Sequence, residues 1–196
     1  MMKRKIFIYT FLFMLLNSFW TLAHAGPKVL LLIAEQNIGE HYYYWWGGAM
    51  AEEVNLSLVE SILAQRLTKA GFEVIDPSVM GKLKVKKPYR HLGLNADEAV
   101  DLAHLYGANL VILGKALATE GAKLSGTTMV SSSANITAKV VRIKDRKIVS
   151  YLSTSGDSVH PNVVTAGKEA LEQAAEELAE KLINELQIKG EENEGR

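Results

Sequence analysis

The apolar positions near the start of the chain follow a strand pattern and then a helix pattern. The continuous apolar run at residues 28–34 is typical of a strand that is buried on both faces. Ser57 and Glu60 have the spacing of a capping box, and apolar residues then recur at helical spacing up to the stop signal Gly71. Residues 72–75 predict a second strand. This part of the chain therefore predicts a strand, a helix and a strand.

The same alternation occurs a second time. Asn95 and Glu98 form another predicted cap, for a short helix whose apolar positions end before Gly107. Residues 109–118 are mostly apolar and predict a third strand.

The last part of the chain predicts a hairpin and a long helix. Residues 119–129 are polar and contain glycine, which predicts a loop or a flexible hairpin end. Residues 134–141 alternate with strand period, and a tight turn at 144–146 leads to a returning strand at 147–156. The helix begins at Asn162, and its predicted apolar stripe is Val164, Gly167, Leu171, Ala174, Leu178, Leu182 and Leu186. Small residues on it predict close packing against a sheet: Gly167, Ala170, Ala174 and Ala175.

The order of these elements predicts an α/β fold, β-α-β-α-β-β-β-α. Strands that alternate with helices imply right-handed crossovers and parallel pairing, whereas the later strands form an antiparallel meander. We therefore expect one mixed sheet, parallel in its first half and antiparallel in its second, with helices packed on it.

The first 25 residues have the features of a secretory signal peptide. Lys3, Arg4 and Lys5 precede an apolar stretch, and a small-x-small site ends at Ala25. An uncleaved membrane anchor is the alternative, but the apolar stretch is shorter than the roughly 20 residues that a spanning helix needs. We expect residues 1–25 to be a cleaved signal, residues 26–188 a single α/β domain, and residues 189–196 a disordered charged tail.

Charge and cysteine content narrow the class of protein further. Without the three basic residues of the signal, 19 basic residues stand against 22 acidic ones, a net charge of about −3, which predicts no general attraction to nucleic acid. The chain contains no cysteine, which excludes disulfides, thiolate catalysis and a lipid-anchoring cysteine. No second apolar run is long enough to span a bilayer. We expect a periplasmic or secreted protein without a transmembrane segment after cleavage.

A run of five consecutive aromatic residues at positions 42–46 is the main candidate for a binding site. It follows the first predicted strand at its carboxyl end, where loops and ligands gather in α/β sheets. Its five consecutive rings cannot all point one way, so some face outward, and such side chains are enriched in binding interfaces. The alternative is a cluster packed against the domain itself. The residues are Tyr42, Tyr43, Tyr44, Trp45 and Trp46.

An irregular basic segment is the second candidate. It could meet an anionic surface or an acidic partner, although a solvated loop explains such charges as well. The basic residues predicted to bind a partner are Lys84, Lys86, Lys87 and Arg90.

The chain shows no motif of catalysis, of metal binding or of cofactor binding. His41, His91, His104 and His160 lack a partner at ligand spacing, although His41 lies near Glu35 and Glu40 in the sequence. Serine-hydrolase and phosphate-loop motifs are missing. Acidic residues cluster around the aromatics, as in glycosidases: Glu35, Glu40, Glu52 and Glu53. Glu52 and Glu53 are adjacent, however, and solvated charge at a helix start explains them better. We expect no catalytic residue, metal or cofactor, and a protein that is not an enzyme.

Several phrases resemble a group of bacterial envelope domains: residues 71–78, 96–116 and 136–156, followed by an alanine-rich helix. The group comprises the curli secretion (CsgG) family, the amino-terminal domain of TolB, the lipoprotein activators of penicillin-binding proteins, and the middle domain of the flagellar assembly protein FlgT. The resemblance covers roughly residues 28–187 and implies a module that docks on envelope machinery. The missing cysteine, and an insert at 119–133 too short for membrane hairpins, argue against a curli-type pore.

These observations predict a non-enzymatic periplasmic accessory or docking domain. Its partners would be an envelope protein complex of flagellar, curli-like or cell-wall machinery, or proteins associated with peptidoglycan. Assembly into a homo-oligomer is a further hypothesis. The alternative is a small glycan-binding protein, or a glycan-acting enzyme, that uses the same aromatic residues with Glu40.

Overall fold

The computed structural model describes residues 26–38, 58–75 and 96–194. The described residues form eight elements in the predicted order. They are β1 (Lys28–Gln36), α1 (Leu58–Lys69), β2 (Glu73–Ile75), α2 (Ala96–Leu105), β3 (Leu110–Lys123), β4 (Val130–Arg142), β5 (Lys147–His160) and α3 (Val163–Glu194).

The five strands form one mixed sheet in the order β2-β1-β3-β4-β5. Strand β1 pairs in parallel with β2 and with β3, whereas β3, β4 and β5 form an antiparallel meander. The predicted fold class is therefore confirmed. The continuous apolar run of β1 is explained by its position between two strands and between two layers of helices, since Leu30 to Ile33 are all buried.

Both short helices end at a glycine that adopts a left-handed conformation. Gly71 has a φ of 92° and Gly107 a φ of 69°. After α1, Phe72 donates its amide hydrogen to the carbonyl of Leu67, and after α2, Ala108 donates to the carbonyl of Ala103. These bonds satisfy carbonyls that the helix leaves open, and the positive φ favours glycine at this position. The stop signals predicted at the two glycines are confirmed.

Helices α1 and α3 cover one face of the sheet. Their core includes Leu63 and Leu67 of α1, Ile136 of β4, and Leu171 and Leu178 of α3, all fully buried. Helix α2 lies on the opposite face, where its core is smaller and consists of Leu30, Leu32, Ile75, Ala99, Val100, Ala103, Tyr106, Ala108, Val111 and Val141. The alternation of β4 therefore separates these two layers, as its period predicted.

Helix α3 packs closely on β5 through small residues. A Cβ atom added at Gly156 would collide with the backbone of Ala170 and of Ala174 in the helix. Thr154 donates its hydroxyl hydrogen to the carbonyl of Ala174, at 2.8 Å. The predicted stripe of α3 is buried from Gly167 to Leu186, but Val164 is exposed because it lies in the first turn of the helix.

The hairpin between β3 and β4 is longer than predicted. Residues 119–129 were expected to form a loop or a flexible hairpin end, but β3 continues to Lys123 and β4 begins at Val130. Ser131 donates its hydroxyl hydrogen to the carbonyl of Ala122, at 2.9 Å, so polar side chains help to hold this part of the ladder together. Strand β5 likewise extends past residue 156 to His160.

The last helix is assigned as far as Glu194, whereas the sequence predicted a tail from residue 189. The predicted division into a signal, one domain and a tail stays a prediction.

Candidate functional site

Two carboxylates join strand β1 to helix α1 at the carboxyl end of the strand. Glu35 Oε2 accepts a hydrogen bond from the amide of Val59 in the first turn of α1, at 2.8 Å. Glu60 Oε1 accepts one from the amide of Ile33 in β1, also at 2.8 Å. The pairing of β1 with β2 stops at Leu30, so Glu60 takes the place of a neighbouring strand at Ile33. These bonds fix the start of α1 beside the end of β1.

The structure gives these two carboxylates contacts that the sequence did not predict. Glu60 is fully buried and accepts from the amide of Ile33 in β1, while its predicted capping box with Ser57 stays a prediction. A side chain at this position reaches the sheet because α1 lies directly on it. Glu35 was grouped with the acidic residues around the aromatic run, but it accepts from an amide at the amino end of α1, where the helix dipole favours a carboxylate. Ser57 and the other three acidic residues of that group lie outside the described residues.

The chain that follows β1 is held against the first turns of α3. The side-chain nitrogen of Asn37, Nδ2, donates to the carbonyl of Val164 at 3.3 Å, and its side-chain oxygen, Oδ1, accepts from the backbone amide of Ile38 at 2.8 Å. A Cβ atom added at Gly167 would meet the side chains of Asn37 and Ile38, so a larger residue there would displace the Asn37 side chain from this contact. The aromatic run begins four positions later in the sequence, beyond this anchor.

The two predicted binding segments start at the same edge of the sheet. Segment 39–57 connects the end of β1 to α1, and segment 76–95 connects the end of β2 to α2. Since β1 and β2 are parallel neighbours, their carboxyl ends lie at one edge. The predicted binding residues themselves lie outside the described residues, and their role stays a prediction: Tyr42, Tyr43, Tyr44, Trp45, Trp46, Lys84, Lys86, Lys87 and Arg90.

The described residues offer little chemistry beyond these anchors. Within residues 26–38, 58–75 and 96–194, no group of three or more His, Cys, Asp or Glu side chains could hold a metal ion. His160 Nδ1 accepts from the amide of Asn162, at 2.9 Å, in the turn before α3. Burial raises the pKa of Tyr106, which packs in the core beneath α2. The contacts of His160 and Tyr106 are therefore structural, since one lies in the turn before α3 and the other packs in the core.

Sequence reasoning missed a groove on the α2 side of the sheet. Helix α2 covers β1, part of β3 and Val141 of β4, but the core beneath it includes no described residue of β5. Beside α2 lies a shallow groove of about 480 Å³, which we call the lysine groove. Its side chains are Leu113, Lys115, Thr137, Lys139, Tyr151 and Ser153. Alternation along each strand places these side chains on one face, but it does not show that a helix leaves them uncovered.

Among the described residues, no helix is long and apolar enough to cross a membrane.

No family model and no curated protein matches the sequence. Solved structures with a similar fold include the lipoprotein GNA1162 from Neisseria meningitidis, with 14% identity, a TM-score of 0.46, and coverage of 84% of this chain and 99% of that chain. A PelC dodecamer from Paraburkholderia phytofirmans shows 14% identity, a TM-score of 0.43, and coverage of 83% and 89%. The C-terminal domain of LpoB from Salmonella enterica shows 13% identity, a TM-score of 0.40, and coverage of 67% and 82%.

Several structures of this group are described as lipoproteins. The likeness concerns the arrangement of strands and helices. The activities and partners of these proteins do not follow for this chain.

Proposed function

We propose that this chain is a non-enzymatic periplasmic accessory domain that docks on a bacterial envelope assembly. Docking would use the loop at residues 36–48, together with the loop at residues 78–94. One observation carries the proposal: the two segments that contain these loops leave adjacent parallel strands at the same edge of the sheet. Loops that start from a common edge of a rigid sheet can contribute jointly to one surface.

The fixed ends of the aromatic segment support this use. Asn37 holds the start of the segment against α3, and Glu35 holds the first turn of α1, just after its end. Anchors at both ends reduce the number of conformations that the segment must lose on binding, which favours affinity. Tyrosine and tryptophan add large contact area at low entropic cost.

The chemistry of the two segments indicates a protein partner. Segment 76–95 contains five basic residues and one acidic residue, so it favours an acidic surface beside the aromatic contact. The net charge of about −3 after removal of residues 1–25 gives no general attraction to nucleic acid. We infer a protein of the cell envelope, or one associated with peptidoglycan, as the partner. Self-assembly of the domain is a further form that such docking could take.

The glycan alternative uses the same aromatic residues with Glu40, which lies outside the described residues. It still predicts a distinct observable. Oligosaccharides or peptidoglycan fragments that stack on Trp45 or Trp46 would shift the tryptophan fluorescence of the protein. We expect no such shift.

The test is the double substitution Trp45→Ala with Trp46→Ala, combined with cross-linking and purification of the protein from its native cells. We expect the variant to keep its thermal stability and to lose a specific cross-linked envelope protein. A matched control is Ile188→Ala, because Ile188 is a large exposed apolar residue of α3 that belongs neither to the two loops nor to the lysine groove. Loss of stability in the double variant would mean that the two rings pack in the domain itself. A fluorescence shift with glycans would replace docking by the glycan function.

A further inference from the structure

The lysine groove has a regular arrangement of side chains on three adjacent strands. Leu113 of β3, Lys139 of β4 and Tyr151 of β5 are directly opposite one another, and Lys115, Thr137 and Ser153 form the next row. Lys115 and Lys139 are therefore diagonal neighbours on adjacent strands, with Cβ atoms about 7 Å apart. The two ammonium groups can thus reach the same ligand.

The groove combines this positive charge with exposed apolar surface. Tyr151 is 71% exposed, and Leu117, one row beyond Lys115 on the same face, is 46% exposed. Strands β3–β5 are otherwise buried against α1 and α3 on their other face. An antiparallel sheet commonly leaves one face exposed to solvent. Large exposed side chains such as Tyr151 and Leu117 on that face offer apolar contact area to a partner.

No acidic side chain of the described residues neutralises the two lysines. Neither Lys115 nor Lys139 forms an ion pair or a side-chain hydrogen bond with a described residue. The acidic residue of β3–β5 that shares their face is Asp157, two cross-strand rows from Lys115, or about 14 Å along the strand. Asp101 of α2 is paired with Arg146, at 3.1 Å. The groove is therefore a local positive site on a chain with an acidic excess.

We propose that the lysine groove binds an acidic, amphipathic peptide segment of a protein partner. Carboxylates of that segment would pair with Lys115 and Lys139, and its apolar side chains would pack on Leu113 and Tyr151. Segment 76–95 of this chain joins α2 on the same side of the sheet, but its basic residues have the same sign of charge as the groove. Charge complementarity therefore favours a different, acidic chain over this segment.

This second surface is independent of the proposed docking loops. The groove is built from β3, β4 and β5, whereas both loops belong to the segments that follow β1 and β2. Substitutions in the groove therefore test this inference separately from substitutions at Trp45 and Trp46.

The experiment uses fluorescence anisotropy with a labelled peptide of alternating Glu and Leu, and purified protein. We expect the double substitution Lys115→Glu with Lys139→Glu to weaken binding by about tenfold or more, because it replaces two attractions with two repulsions. The matched control is Lys123→Glu with Lys168→Glu, which changes the net charge equally at exposed positions outside the groove. The control should bind within about twofold of the original protein, and Tyr151→Ser should weaken binding to the peptide.

Thermal melting of each variant verifies folding, and Lys115→Gln with Lys139→Gln provides a milder variant if the charge reversal destabilises the domain. A peptide of alternating Glu and Ser, and inorganic polyphosphate as a competitor, separate the sources of the affinity. The inference is overturned if the Glu-Leu peptide does not bind, or if the control variant loses as much affinity as the groove variant. It is also overturned if polyphosphate or the Glu-Ser peptide binds as tightly, because the groove would then accept any polyanion.

Discussion

The carboxylate of Glu60 in helix α1 accepts a hydrogen bond from the backbone amide of Ile33 in strand β1, and both residues are fully buried. A carboxyl side chain thereby completes the hydrogen bonding of a central strand at a position that the short strand β2 does not reach. Burial of a carboxyl group is costly unless it is hydrogen-bonded, so the bond from Ile33 supports the buried position of Glu60.

Replacement of Glu60 by leucine should destabilise the protein. Leucine would leave the buried amide of Ile33 without an acceptor, and we expect a loss of about 2–3 kcal/mol in the free energy of unfolding. Glu60→Gln should cost less, because the side-chain amide retains an acceptor oxygen. Urea denaturation measures both, and Glu172→Gln on the exposed face of α3 is the control. Equal stability of the leucine variant and the original protein would show that this hydrogen bond contributes nothing net.

Replacement of Gly156 by alanine should separate β5 from α3. The added methyl group would collide with the backbone of Ala170 and Ala174, which cannot move as a side chain can. We expect a loss of about 1–3 kcal/mol, as for other overpacked sites. Ser155→Ala is the matched control, because Ser155 is exposed and its neighbour in the same strand is Gly156. If Gly156→Ala had the same melting temperature as Ser155→Ala, this would contradict the close packing of α3 on β5.

Asn162 should contribute to stability as the cap of α3. Its side-chain oxygen accepts from the amides of Val164 at 2.9 Å and Thr165 at 3.1 Å. Asn162→Ala should therefore lower the free energy of unfolding by about 1 kcal/mol. Asn162→Asp keeps the acceptor and adds a negative charge at the helix start, so it should remain close to the original stability. Thermal and urea denaturation compare the two, and an alanine variant as stable as the aspartate variant would refute the capping role.

Tyr106 should make the stability of the protein fall at alkaline pH. Burial raises the pKa of Tyr106 in the folded state above its ordinary value of 10.0. The unfolded chain therefore loses this proton first as the pH rises. The contribution of Tyr106 is fully present below pH 10.0 and is lost as the pH rises through the higher pKa of the folded state.

The measurement is the free energy of unfolding in urea across this alkaline range, with phenolate absorbance to follow tyrosine ionisation. Tyr106→Phe should flatten part of the pH dependence, because phenylalanine has no proton to lose. Tyr151→Phe is the control at an exposed position. An unchanged alkaline slope in the Tyr106 variant would place the proton loss on another group.

The sequence predicted the order of the elements because each element has a local signal. The period of the apolar residues separates strands from helices, and Gly71 and Gly107 mark positions where a positive φ ends a helix. The order of strands and helices then limited the topology to a sheet with parallel and antiparallel halves. The exact extent of the β3–β4 hairpin was not predictable in this way, because polar residues in a strand depend on the partner strand for their hydrogen bonds.

The candidate site was predictable only in part. The sequence indicated that aromatic and basic segments follow the first two strands, and the parallel pairing of β1 with β2 places the starts of both at one edge. The hydrogen bond from the amide of Ile33 to Glu60 was not predicted, since the local sequence does not show that α1 lies on β1. The lysine groove was missed, since period-two alternation shows which side chains share a face and not whether a helix covers that face.

The sequence by itself determined the kind and order of the elements and the residues that face the core, because these depend on the period of apolar residues along a single segment. Only the tertiary structure decided that Glu60 bonds to Ile33, that Val164 stays exposed, and that Lys115 and Lys139 lie together on a part of the sheet that no described helix covers. The physical reason is that these properties depend on which segments pack together across the fold, and residues far apart in sequence supply the contacts that create or remove them.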